Sequence, residues 1–327
     1  MNEQLECTDA QDLSMRQGAN HAVNESEQRL AGVFAPICTP FSTGEEVDFD
    51  ALRYNVSLYA RSGILGYLAL GSNGENRSLT EAERLRVLEL IVSEKAASQI
   101  VMAGAAYEAQ RETERFLASA AELGVDFGLV LAPGYFRKEM TEEVLYRYFS
   151  TLADGSSIPI LLYNAPGFSG ITLSPALVGR LAQHENIIGM KDSAPSGIEH
   201  FLELESVGFH VLAGSANFLL PAMLGGSLGG TVSLANSFPA VALRLFEYGR
   251  ARDLAEGVPY QAWVKQVNSA ISGAYGVAGV KAAMTLSGFR GGIPRRPLLP
   301  LEPAQVDALR RFLTAEGLLA TEEVRAR

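Results

Sequence analysis

Ile187-Ile188-Gly189-Met190-Lys191-Asp192-Ser193 is the stretch from which the fold is read. A short apolar run that ends in a cation reads as a buried β-strand with a lysine at its exit. Desolvation disfavours an ammonium, so a lysine in an apolar setting is a candidate amine nucleophile. A strand-end lysine can also snorkel to water, and the strand context alone leaves both readings open. The other lysines sit differently. Lys95, Lys265 and Lys281 fall in helix-like stretches, and Lys138 follows Pro133-Gly134 in a polar segment.

Seven similar runs accompany this one. They are Gly32–Ile37, Gly66–Leu70, Ile100–Ala103, Phe127–Leu131, Ile158–Tyr163, His210–Ala213 and Gly230–Leu234. Each is apolar throughout, as strands covered on both faces are. Amphipathic stretches with helix-start signals separate them. Thr80-Glu81-Ala82-Glu83 is a capping box, Thr141-Glu142-Glu143 opens another helix, and Ser174-Pro175 sets an N-cap before a proline. Gly63 and Gly124 suit helix stops.

Eight β-then-α units in about 220 residues match a (β/α)8 TIM barrel of the α/β class. An open doubly wound sheet is the alternative, but no unit carries a G-x-G-x-x-G turn. Further helices are expected over 255–275, 277–287 and 303–317. The predicted organisation is a disordered tail over 1–29, a barrel over 30–253 and a C-terminal helical extension over 254–327.

Composition narrows the function classes. A hydrophobic fraction of 47% supports a full core, and a net charge of −10 argues against nucleic-acid binding and against anionic membranes. No apolar run is long enough to span a bilayer, and the acidic, non-periodic start lacks the features of a secretory or transit signal. Cys7 lies in the polar tail and Cys38 in an apolar run, so no disulfide is expected between them and a cytoplasmic setting fits.

Active sites of such barrels gather at the C-terminal ends of the strands. Those ends carry Gly71-Ser72-Asn73-Gly74-Glu75, Pro133-Gly134-Tyr135-Phe136, Tyr163-Asn164-Ala165-Pro166, Lys191-Asp192-Ser193, Gly214-Ser215-Ala216 and Asn236-Ser237. Lysine, tyrosine, hydroxyls and glycine-flanked amides together suit a 2-oxo acid. The amine forms an imine that serves as an electron sink, a tyrosine shuttles the proton, and Ser72 and Asn73 hold a carboxylate. Each piece alone is weak, and only the conjunction is specific. Metal ligands are not expected to converge, because His21 lies in the tail, His184 and His200 in helix or turn segments, and His210 at the start of a strand.

The chain resembles the dihydrodipicolinate synthase / N-acetylneuraminate lyase family of pyruvate-dependent class I aldolases. The matching pieces are Thr39-Pro40-Phe41, Gly71-Ser72-Asn73-Gly74-Glu75 with Leu79-Thr80 and Glu83-Arg84 behind it, Tyr163-Asn164-Ala165-Pro166 and Gly189-Met190-Lys191-Asp192-Ser193. Gly291-Gly292 and Arg296-Pro297-Leu298 match near the C-terminus. The resemblance implies that Lys191 is the Schiff-base lysine, Tyr163 the proton carrier, and Ser72 and Asn73 the pyruvyl carboxylate cradle. It implies that Ser193, Gly214 and Ser215 line the substrate pocket. Tyr135 matches a tyrosine that completes a relay with Ser72 and Tyr163 across a subunit interface, in a homotetramer built from dimers. No cofactor and no metal are implied.

Departures narrow the choice within the family. The arginine that synthases carry five residues after the catalytic tyrosine is Phe168 here, and the acidic pair of sialate lyases is Ala216-Asn217. The pattern is most similar to 4-hydroxy-2-oxoglutarate aldolases and the related 2-keto-3-deoxy sugar-acid aldolases. A 4-hydroxy-tetrahydrodipicolinate synthase acting on pyruvate and aspartate semialdehyde, a dehydratase using the same imine, and a non-catalytic 2-oxo acid sensor are the alternatives.

Overall fold

The computed structural model describes residues 26–320. Cys7, His21 and most of the expected tail lie outside the described residues, as do the last seven residues of the extension.

Eight strands form a closed parallel barrel in chain order. They are β1 (Val33–Ala35), β2 (Gly66–Ala69), β3 (Ile100–Ala105), β4 (Phe127–Leu131), β5 (Ile160–Asn164), β6 (Ile187–Asp192), β7 (His210–Ala213) and β8 (Gly229–Thr231). Pairing of β8 with β1 closes the ring. The sheet is thus the predicted (β/α)8 TIM barrel, with helices between successive strands. The start signals act as read: Thr80 and Glu83 complete a capping box, and Thr141 and Ser174 accept from the backbone N–H groups of Val144 and Leu177.

Period-two alternation decides what faces inward. Phe34, Leu68, Met102, Leu129, Leu161 and Leu212 pack together inside the barrel. Their strand neighbours Ala35, Ala69, Val101, Val130, Leu162 and Val211 belong to the larger core under the helices. Tyr163 and Lys191 are in register across β5 and β6, so both take the inward side, above the layer of Leu161.

Two boundaries differ from the expectation. Residues 26–30 are helical and belong to the floor of the barrel rather than to a tail. Leu30 is fully buried, Arg29 pairs with Asp126 and lies over the Phe127 ring, and Ser26 Oγ is 3.1 Å from His210 Nε2. An open barrel end lined by apolar side chains needs such a cover. The other difference is at the eighth strand. The apolar run continues to Leu234, but the strand stops at Thr231 and residues Ser233–Asn236 turn into a 3-10 helix. Asn236 explains the turn: its amide accepts from Cys38 N–H at 3.3 Å and donates to the Pro36 carbonyl at 3.0 Å, sealing the top of the β1–β8 seam.

The C-terminal extension comprises helices Leu254–Asn268, Ala274–Leu286 and Pro303–Ala315, the first two joined by a π turn over Ser269–Gly273. It is fastened to the barrel through Lys281. That residue is 1% exposed, and its Nζ lies 2.5 Å from Glu75 Oε1, donates to the Ile293 carbonyl at 2.7 Å and stands 4.4 Å from the Phe41 ring centre. Burial lowers the Lys281 pKa against the opposing pull of the Glu75 carboxylate. Arg295 completes the lock, with its backbone N–H on Glu75 and its guanidinium on Glu83.

A buried pair of this kind is costly to break and cheap to replace whole. Lys281→Met should destabilise the protein by about 3–5 kcal/mol in urea unfolding, because it strands a buried carboxylate. Adding Glu75→Gln should recover most of that loss.

Candidate active site

Strands β5 and β6 bring the two principal side chains together. Lys191 and Tyr163 are 5% and 6% exposed, and Lys191 Nζ lies 4.6 Å from the Tyr163 ring centre. Ser72, from the loop after β2, places its Oγ 3.5 Å from the Tyr163 hydroxyl. Burial raises the phenol pKa, but the Lys191 charge and hydrogen bonding from Ser72, Ser193 and Lys191 outweigh it, and the net shift is downward from the ordinary tyrosine value. A tyrosine so placed is primed to exchange a proton with something bound beside it.

A cavity of about 600 Å³ opens at this end of the barrel. Ser72, Asn73 and Tyr163 are in its wall, together with Leu129, Leu131 and Phe168. Lys191 is not itself part of that wall but stands against the Tyr163 ring, which is. The Asn73 amide donates to Ser233 Oγ at 2.8 Å, tying the β2 loop to the turn after β8. Gly214 has a steric reason to be glycine, since a Cβ there would meet Ser193 Oγ at 1.9 Å and the Asp192 carbonyl at 2.5 Å.

Besides Lys191, four expected residues are absent from the cavity wall: Ser193, Gly214, Ser215 and Tyr135. The Ser215 hydroxyl accepts from Asn217 N–H at 3.2 Å and caps a 3-10 turn instead of facing the cavity. Tyr135 is 78% exposed, with its backbone N–H on Glu108 and its ring edge-on against Phe136. Within one chain it reaches neither Ser72 nor Tyr163.

Several residues around the site were not singled out from the sequence. Ser272, Tyr275 and Gly276 belong to the extension yet line the cavity, so the extension forms a wall of the site. Gly276 makes this possible: at φ 55° and ψ −139° it breaks the helix where it passes the opening. The interruption G-A-Y-G at 273–276 was the available signal. Asp192 is the other. Its Oδ1 accepts from Asn164 Nδ2 at 2.7 Å and from Ala194 N–H at 3.3 Å, while Oδ2 is buried without a partner. This pair ties together the strand ends that carry Tyr163 and Lys191. Burial pushes the Asp192 carboxyl up to about 6, against the hydrogen bonds from Asn164 and Ala194.

The histidines stand apart. His184 bonds Asp154, and His210 bonds Glu205 at the opposite end of the barrel. Among the described residues no group of three or more histidines, cysteines and carboxylates could hold a metal ion. No helix among them is long and apolar enough to cross a membrane.

A family model described as the dihydrodipicolinate synthetase family matches residues 29–316. The chain belongs to this family. Membership makes it a pyruvate-dependent aldolase or lyase. It is 31% identical over 296 residues to a 4-hydroxy-tetrahydrodipicolinate synthase of Nitrobacter hamburgensis, covering 90% of this chain and 99% of the relative. It is 32% identical over 289 residues to a probable mitochondrial 4-hydroxy-2-oxoglutarate aldolase of Emericella nidulans, covering 86% and 93%. Among solved structures it resembles YagE, a prophage protein of the same family from E. coli K12 in complex with pyruvate. There the TM-score is 0.82 at 27% identity, over 88% of this chain and 99% of that one.

The raised Asp192 pKa links stability to pH. A carboxyl that holds its proton more tightly when folded stabilises the native state fully below its ordinary value of 3.8, and that contribution is lost as pH rises through about 6. Asp192→Asn should therefore flatten the fall in stability of the wild type between about pH 4 and pH 6, as read by urea midpoints across that range. Parallel curves for the two proteins would contradict the assignment.

Proposed function

We propose that this chain is a Schiff-base lyase that cleaves a 4-hydroxy-2-oxo acid, either 4-hydroxy-2-oxoglutarate or a 2-keto-3-deoxy sugar acid, to pyruvate and an aldehyde. The observation that carries the reading is Lys191 Nζ 4.6 Å from the Tyr163 ring centre, with Ser72 beside the phenol, at the C-terminal end of a closed barrel.

The free amine of Lys191 adds to C2 of the keto acid, water leaves, and the imine is protonated on nitrogen. The C1 carboxylate lies against Ser72, Asn73 and nearby backbone N–H groups, with Ser193, which Gly214 allows to pack closely, on the other side. Tyr163, as phenolate, takes the proton of the C4 hydroxyl. The C3–C4 bond breaks, its electron pair moves into the iminium, and the aldehyde departs. The resulting enamine takes a proton at C3, and water hydrolyses the imine to release pyruvate and restore the amine. The imine is the electron sink, so the scheme uses no cofactor and no metal.

The names of the relatives divide between synthase and aldolase. Phe168 favours the aldolase. It lies in the cavity wall, and an aromatic ring there cannot make the paired hydrogen bonds that a guanidinium offers a second substrate's carboxylate. The same reading takes the working unit as a homotetramer built from dimers in a cytoplasmic setting. The exposed Tyr135 and Phe136 support it, since a neighbouring copy would cover them and receive the Tyr135 hydroxyl at its own Ser72 and Tyr163.

Release of pyruvate from 4-hydroxy-2-oxoglutarate and from 2-keto-3-deoxygluconate tests the class. The wild type should turn over at least one of them, Lys191→Ala neither, and Tyr163→Phe should lose roughly 10²- to 10⁴-fold in kcat. Inactivity of the wild type on both, or full activity of Lys191→Ala, would reject the scheme.

A further inference from the structure

We propose that Arg77 selects the distal half of the substrate, binding a carboxylate there, so that the preferred substrate is a dicarboxylic 4-hydroxy-2-oxo acid rather than a sugar acid whose distal end is uncharged. The inference rests on the aldolase reading above and sharpens it.

Among the described residues, two charged ones line the cavity, Glu75 and Arg77. Glu75 is spent, because its side chain is 1% exposed and paired with Lys281. Arg77 is 53% exposed and is the one charged side chain of the wall that an incoming ligand can reach. Elsewhere the wall is largely apolar, with Leu129, Leu131, Phe168 and Leu299, and its remaining polar side chains are hydroxyls and amides.

The backbone around Arg77 is held from both sides. Residues Asn76–Ser78 form a 3-10 turn. Arg84 donates to the Asn76 carbonyl at 3.0 and 2.8 Å, and Arg295 donates to the Ser78 carbonyl at 2.7 Å. The Arg77 side chain, by contrast, is lightly committed. One N–H meets Glu108 Oε1 at 3.0 Å, a pair exposed enough to contribute little in water. Should Arg77 turn to a ligand, Glu108 keeps the Tyr135 N–H on its other oxygen at 2.9 Å. A fixed base with an exchangeable side chain is suited to capture. A guanidinium meets a carboxylate through two parallel hydrogen bonds, and the attraction is stronger against apolar walls than in bulk water. A hydroxymethyl end gains neither.

The aldol addition of pyruvate to two aldehydes provides the test, because glyoxylate is an anion and glyceraldehyde is neutral. The wild type should prefer glyoxylate. Arg77→Met should raise the glyoxylate KM by roughly 10- to 100-fold with kcat largely kept, and leave glyceraldehyde kinetics unchanged. Arg77→Lys should recover part of the glyoxylate loss, since it restores charge without the bidentate fork. A wild type that prefers glyceraldehyde, or an Arg77→Met variant that loses both aldehydes equally or neither, would overturn the role of Arg77 while leaving the aldolase reading intact. A wild type that joins pyruvate to neither aldehyde would remove the aldolase reading itself, and this inference with it.

Discussion

A primary amine and a phenol buried side by side are the constraint around which this barrel is organised. Lys191 and Tyr163 are each about nineteen-twentieths hidden from water, and Lys191 Nζ stands 4.6 Å from the Tyr163 ring centre. Polar groups in such a place are costly unless they are paired. The parallel register of β5 and β6 supplies the pairing directly, because neighbours in register point to the same side. Behind them, Asn164 and Asp192 repeat the pairing on the outer side of the same two strands. One pair of strand ends therefore carries a reactive couple inside and a bracing couple outside.

The β2 loop does a second job at the same end. In Gly71-Ser72-Asn73-Gly74-Glu75, Ser72 faces the phenol, Asn73 reaches across to Ser233, and Glu75 anchors Lys281 of the extension. Two residues farther along, Arg77 stands in the cavity wall. A single short loop thus connects the reacting centre, the opposite side of the barrel mouth and the C-terminal helices that enclose the cavity. Displacing the extension would disturb the loop through Glu75, and with it Ser72.

Much of this was legible in the chain because barrel strands and helix caps are local signals. The apolar runs at Phe127–Leu131 and His210–Ala213 coincide with β4 and β7, and the capping box at Thr80 forms as read. What escaped depended on long-range partners. Asn236 ends the eighth strand because it bonds Pro36 and Cys38, some two hundred residues away. Lys281 was grouped with helix lysines, yet it is buried. The clue was a lone cation in Ala274–Leu286, a helix apolar nearly all round. Ser215 read as a pocket hydroxyl, but turn capping competes for serine and won here. Tyr135 is exposed and reaches neither Ser72 nor Tyr163 within one chain, and its expected role rests on a neighbouring copy.

The most direct measurement is mass spectrometry of the protein after borohydride reduction in the presence of pyruvate, followed by peptide mapping. The account predicts one pyruvyl-derived adduct per chain, carried on Lys191 in the peptide that contains Gly189-Met190-Lys191-Asp192. An unmodified chain, or an adduct on another lysine such as Lys281, would contradict it.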